Sequence, residues 1–205
     1  MTFSEYIDKT DLTVVYPKTV ETDYLVHGIV DEAGELLEKI EGFESRDLKQ
    51  RIRQRSLDGG SKDLTWAFEN GRESEKVLRD ISKEVGDVLW YVARFIKSKP
   101  SLTIHQDPEL LETLSRQTPT VPIQDLKWVA TGLLIHASKI NGYRKKETRD
   151  EENYDKKYNS ALMFVLQACS TIISSLGLSL SYAMEQNISK LLDRGERGVI
   201  RGNGD

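Results

Sequence analysis

The chain has 205 residues, one cysteine and a formal net charge of −4, from 29 basic and 33 acidic side chains. The length allows one good-sized core or two small fused halves. A single cysteine excludes a disulfide framework, and the acidic balance excludes a general nucleic-acid binder, which needs a basic face for backbone phosphates. The longest apolar runs, Val88 to Ala93 and Ala161 to Leu166, fall far short of the roughly 20 residues of a membrane span. The first residues carry two acids and no apolar stretch, so no signal peptide or membrane partner is expected, and a reducing cytoplasm fits. An acidic protein that handles phosphates has another route, which is to hold a divalent cation on gathered carboxylates.

Strand signals are weak, and Leu12 to Tyr16 is the best candidate. Helical periodicity predicts a first helix over Thr22 to Ile40. A polar, charge-dense segment follows, from Phe43 to Asp80, with a break at Gly59-Gly60. A second helix is predicted over Val77 to Lys97. Residues 98–124 contain Pro100, Pro108, Pro119 and Pro122 and read as a connector. A third helix is expected over Gln124 to Lys145, a fourth over Tyr154 to Leu176 and a fifth over Leu180 to Leu192. The fourth is apolar nearly all round from Ala161 to Cys169, as a central buried helix is. The last dozen residues are rich in Gly and Arg. These elements predict an all-α helical bundle.

Two of the helices carry acids in the same phase. At about 100° per residue, Leu25, Ile29, Ala33, Leu36, Leu37 and Ile40 form one apolar arc. Glu32 sits at its edge, and Glu35 lies about 60° further out. In the second helix Ile81, Val85, Val88, Leu89, Val92 and Ile96 form the arc. Glu84 and Asp87 repeat the same offset on the same side. If the arcs face each other antiparallel, four carboxylates converge, and they repel unless a cation neutralises them. Oxygen ligands of this kind suit Mg²⁺ or Mn²⁺. Gly28, Gly34 and Gly86 stand beside the acids, where they imply close helix approach or room for a ligand.

The stretches His27-Gly-Ile-Val-Asp-Glu-Ala-Gly-Glu-Leu-Leu-Glu-Lys-Ile and Lys83-Glu-Val-Gly-Asp-Val-Leu-Trp-Tyr-Val-Ala resemble the ExxE and ExxD halves of MazG-like all-α nucleoside-triphosphate pyrophosphohydrolases, relatives of the dimeric dUTPases. The tail from Gln186 to Asp205 resembles their usual ending. The resemblance implies that Glu32, Glu35, Glu84 and Asp87 ligate Mg²⁺, with Mn²⁺ as a substitute. Glu35, or else Glu32, then orients or deprotonates the attacking water. It places Tyr91 near the nucleotide and Asn187 and Lys190 at the phosphates, with Arg194 and Arg201 assisting. The implied reaction opens the α–β phosphoanhydride and releases a nucleoside monophosphate and pyrophosphate. Phage-type members imply a (deoxy)nucleoside triphosphate, purine such as dGTP, and a role in phage or bacterial nucleotide pools. The family builds its sites between subunits, which implies a homo-oligomer, dimer or tetramer. Trp90 and Trp128, beside leftover helix faces, favour the same self-association.

The chain departs from compact members in two places. The gap between Glu35 and Glu84 is long and holds Arg46, Lys49, Arg51, Arg53, Arg55, Trp66 and Phe68, which would suit a lid over phosphates and base or a solvated insertion. A second long insert precedes the tail, and it reads as a worn copy of the catalytic half. Gly132-Leu-Leu-Ile-His136-Ala-Ser-Lys139 lies over Gly28-Ile-Val-Asp-Glu32-Ala-Gly-Glu35. The resulting plan is one domain over 1–205. Residues 1–97 form a catalytic half with an insertion at 43–80, 98–124 a connector, 125–192 a degenerate second half and 193–205 a tail. Under this plan His136, Lys139 and Tyr143 face the substrate as non-metal groups. His136 also reads as an ordinary boundary histidine.

Rival readings are a dUTPase-like pyrophosphatase and a non-enzymatic nucleotide-binding helical protein. A ferritin-like di-iron bundle needs Glu-x-x-His on two helices. The residues three before His27, His105 and His136 are Tyr24, Leu102 and Leu133, so that pattern is absent.

Overall fold

A computed structural model describes the backbone over residues 1–58, 72–106 and 120–199, and side chains over 1–43, 76–104 and 120–199. Six α-helices stand in it: α1 Phe3–Lys9, α2 Glu21–Asp58, α3 Arg72–Ser98, α4 Leu126–Asp150, α5 Asp155–Ser175 and α6 Leu180–Glu196. Among the described residues there is no strand, so the chain is all-α.

Each long helix packs antiparallel to its partner. Between α2 and α3, Lys39 reaches Glu84 at 3.8 Å, while Gly28 lies against the Tyr91 ring. Between α2 and α4, Glu41 pairs with Lys127 and Asp23 with Arg144, both at 2.7 Å. Phe164 of α5 rests on Gly132 of α4, and Tyr154 on Tyr143. Helix α6 crosses α3 where a Cβ on Gly86 would lie 2.9 Å from the Asn187 Cβ. The core is one cluster that includes Leu25, Ile29, Leu36, Leu89, Leu133, Leu162 and Val165. Burying such side chains contributes about 1.5–3 kcal/mol each before chain entropy is charged against it. Helices α5 and α6 meet at a 101° bend, and no single helix among the described residues is long and apolar enough to cross a membrane.

Several expected boundaries move. Helix α2 does not stop near Ile40 but runs to Asp58, into the segment read as an insertion. Its continuation is rich in Lys, Arg, Glu and Gln, which are good helix formers without an apolar stripe, so periodicity loses the helix before the backbone does. Helix α3 likewise starts at Arg72, and α6 reaches Glu196, inside the expected tail. The strand candidate Leu12 to Tyr16 is no strand: Thr10–Thr13 is a 3₁₀ turn whose threonine hydroxyls bond back to the carbonyls of Ile7 and Thr10. The connector holds 3₁₀ turns at Thr103–Gln106 and Ile123–Asp125. Gly59-Gly60, Trp66, Phe68, Pro108 and Pro119 lie outside the described residues, as do the side chains of Arg46, Lys49, Arg51, Arg53, Arg55 and His105.

Helix α1 has a sequence signal that periodicity does not use. Thr2 and Glu5 form a capping box, with Thr2 Oγ1 accepting from the Glu5 N–H and Glu5 accepting from the Thr2 N–H. The N-terminal segment fastens to α3 and α6. The Tyr6 hydroxyl donates to Asn187 Oδ1 at 2.8 Å, and the Trp90 indole donates to Thr13 at 2.8 Å. Trp90 is therefore core, at 6% exposure, and not a leftover surface for self-association. Its polar tip finds a partner only because the first turn folds back on α3. Trp128 is 79% exposed.

Candidate metal centre

The α2–α3 pairing brings Glu32, Glu35 and Glu84 together. One carboxylate oxygen from each lies within 4.8 Å of the other two. The antiparallel register makes this possible. Tyr91 sits over Gly28 at one end of the contact and Lys39 meets Glu84 at the other, so the turn holding Glu32 and Glu35 lies between them. Glu35 is exposed, while Glu32 and Glu84 are half-buried. Burial, reinforced by Asp87, Glu35 and Glu84, pushes the Glu32 carboxyl up to about 8. Burial and the charge of Asp87 also raise Glu84, against the opposing pull of Lys39. These shifts have the signature of like charges gathered where water is thin.

Asp87 stands close enough to raise both glutamates, yet its own oxygens are taken. Lys190 Nζ lies 2.5 Å from each of them, and Asn187 Nδ2 donates to Oδ1 at 2.7 Å. Asn187 is 2% exposed and accepts from Tyr6, so it is fixed at both ends. The expected tail pair therefore lies at the fourth carboxylate, where Lys190 supplies the positive charge. Lys39, Tyr6 and Tyr24 join the site although periodicity singled out none of them. Lys39 had a signal, since it stands one turn after Glu35 on the same side of α2.

Tyr91 packs its ring against Gly28, and its hydroxyl lies 3.2 Å from the Tyr24 hydroxyl. Burial and that neighbour hold Tyr91 well above the ordinary tyrosine range. A Cβ on Gly28 would fall 2.1 Å from the ring, so this glycine is required by close approach. A Cβ on Gly34 would meet nothing within 4 Å beyond its own helix turn, so there the glycine leaves open space beside the acids.

His136 makes its contacts with Phe164 of α5 and within α4. The His136 ring stacks on Phe164 of α5 at 3.8 Å, its Nδ1 lies 2.9 Å from the Gly132 carbonyl, and its Nε2 lies 3.3 Å from Lys139 Nζ. Helix α4 meets α2 through Lys127 and Arg144. Tyr143 likewise packs on Tyr154 and Tyr158. The two helix pairs share local packing. Val26, Ile29, Ala33 and Leu36 are buried on α2, and Ala130, Leu133, Ala137 and Ile140 are buried at the same spacing on α4. An aromatic ring covers a glycine in each: Tyr91 on Gly28, Phe164 on Gly132. Arg194 is half-buried on α6, one turn beyond Lys190, and Arg201 lies outside the described residues.

The chain is 32% identical over 88 residues to the Gene 37 protein of Mycobacterium phage L5, a match that covers 40% of this chain and 77% of that protein. No family model matches the chain, and no solved structure matches it.

Proposed function

We propose that this chain, which belongs to the same family as the Gene 37 protein of Mycobacterium phage L5, is a Mg²⁺-dependent nucleoside-triphosphate pyrophosphohydrolase of the MazG-like kind. The relative's name carries no activity, so the reading rests on the site. The observation that carries it is the convergence of Glu32, Glu35 and Glu84 within 4.8 Å between antiparallel helices. An all-carboxylate oxygen set fits a hard divalent cation, Mg²⁺ or Mn²⁺, and fits neither a thiolate- nor an imidazole-preferring metal. Carboxylates so close, two of the three half-buried, are stabilised most simply by such a cation.

Glu32, Glu35 and Glu84 would hold the ion, with Asp87 joining as Lys190 yields it. A bound cation of this kind neutralises polyphosphate oxygens and lowers the pKa of bound water. Glu35, the exposed member, would accept the proton of the attacking water. Glu32, whose carboxyl is raised to about 8, would give up its proton on taking up the ion. Tyr91, hydrogen-bonded to Tyr24, walls the end of the site nearest Gly28. Lys190 would meet the phosphates once it leaves Asp87.

The substrate class is a (deoxy)nucleoside triphosphate, with a purine such as dGTP preferred, in a phage or bacterial nucleotide pool. Self-association into a homo-oligomer belongs to the same proposal, and size-exclusion chromatography with light scattering checks it. Pyrophosphate release from a nucleotide panel with Mg²⁺ tests the activity. Release is expected with the wild type and a fall of about 10²-fold or more with Glu84→Gln, with the helical circular dichroism intact. Turnover of dUTP alone would replace the purine preference with a dUTPase-like one. No release from any triphosphate would end the proposal.

A further inference from the structure

Lys190 borders a second space besides the carboxylates. Helices α3 and α6 enclose a cleft of about 260 Å³, lined among others by Arg79, Ser82, Lys83, Ser189, Lys190 and Asp193. On α3, residues 79, 82, 83 and 86 fall on one stripe by their helical spacing. Gly86 brings the helices into contact, and the cleft opens one turn earlier, at Ser82.

Three observations describe what it would hold. Arg79 and Lys83 are exposed, and neither is bonded to an acid among the described residues. Asp193, the acid on the rim, is already engaged by Arg197 at 2.6 Å. Ser82 is 2% exposed, and its Oγ has no hydrogen-bond partner. Buried hydroxyls are nearly always paired, so this one is short of an acceptor. Cationic side chains beside an unpaired hydroxyl donor suit a phosphate-type oxyanion, and an Arg fork suits it best. Arg79 and Lys83 stand about 6 Å apart along the helix axis, which spans more than one phosphoryl group.

We propose that the α3–α6 cleft is an anion site for a pyrophosphate group, free or carried by a nucleotide. The site does not depend on the carboxylates holding a metal. It communicates with them through Lys190, because an anion in the cleft competes with Asp87 for that ammonium group. Occupancy of the cleft thereby frees Asp87 to turn to the other carboxylates.

Calorimetry on the full chain in EDTA, with inorganic pyrophosphate and separately with deoxyguanosine diphosphate, tests this. Saturable binding is expected, and the tighter probe identifies free anion or nucleotide as its source. The double variant Arg79→Gln, Lys83→Gln, altered at exposed positions, should weaken binding by about ten-fold or more. Ser82→Ala should weaken it without lowering the melting temperature. Glu84→Gln should bind as the wild type does, whatever becomes of pyrophosphohydrolase activity. No saturable binding, equal affinity in the double variant, or loss in Glu84→Gln would each overturn the site.

Discussion

Glu32 shows how one side chain couples fold and chemistry. Its carboxyl is raised to about 8, first by burial and then by Asp87, Glu35 and Glu84. The folded chain thus holds this proton more tightly than the unfolded chain does. Its contribution to stability is complete below the ordinary glutamate range and is lost as the pH rises toward about 8. Metal-free protein in EDTA should lose on the order of a few kcal/mol of unfolding free energy between pH 5 and 8. Denaturant melts of Glu32→Gln should show a flatter profile. An equal slope in the variant would assign the effect elsewhere. The acid spacing was legible in the sequence, but the capture of Asp87 by Lys190 and Asn187 was not, because both partners lie on a helix remote in sequence. Tyr6 was invisible for the same reason. Tyr6→Phe leaves Asn187 Oδ1 without its buried donor and should cost about 1–3 kcal/mol, read as a lower urea midpoint at unchanged slope.

At the scale of elements, the glycines separate contact from space. Gly86→Ala presses on Asn187 Cβ at 2.9 Å and on the Ala183 carbonyl at 3.1 Å, neither of which retreats without moving α6. The expected cost is about 1–3 kcal/mol, or roughly 2–4 °C of melting temperature per kcal/mol. Gly34→Ala meets nothing within 4 Å, and in a helix interior it should gain up to about 1 kcal/mol. Thermal melts that moved the two variants the same way would contradict this assignment. The helix cores of α2 through α6 were legible from apolar period alone. Their ends were not, because a polar helix such as the second half of α2 has no stripe to read.

At the scale of the whole molecule, the N-terminal segment ties α3 and α6 into one body. Arg94, 7% exposed, bonds the Tyr16 hydroxyl at 3.0 Å and the carboxylate of Asp11, and it pairs with Glu21 at 3.5 Å. Lys97 adds Asp8 and Asp11. Arg94→Leu removes the donor to the Tyr16 hydroxyl and the cation between Asp11 and Glu21, and it should cost about 1–3 kcal/mol. A variant melting within a degree of wild type would show that this strap is not structural. The helix pairs α2–α3 and α4–α5 share their pattern of burial and an aromatic ring on glycine. The first pair carries the acids, and the second carries His136, stacked on Phe164 of α5.

What the sequence determined by itself was the all-α class and the phase of the acids on two helices. These follow from local spacing, which the helix translates directly into direction around its axis. What the tertiary structure alone decided was which distant side chains meet them. Lys190 neutralises Asp87, Trp90 enters the core, and His136 stacks on Phe164. Helical periodicity fixes the face a residue occupies, but the neighbour across that face depends on helix crossings set by the packing of the whole core.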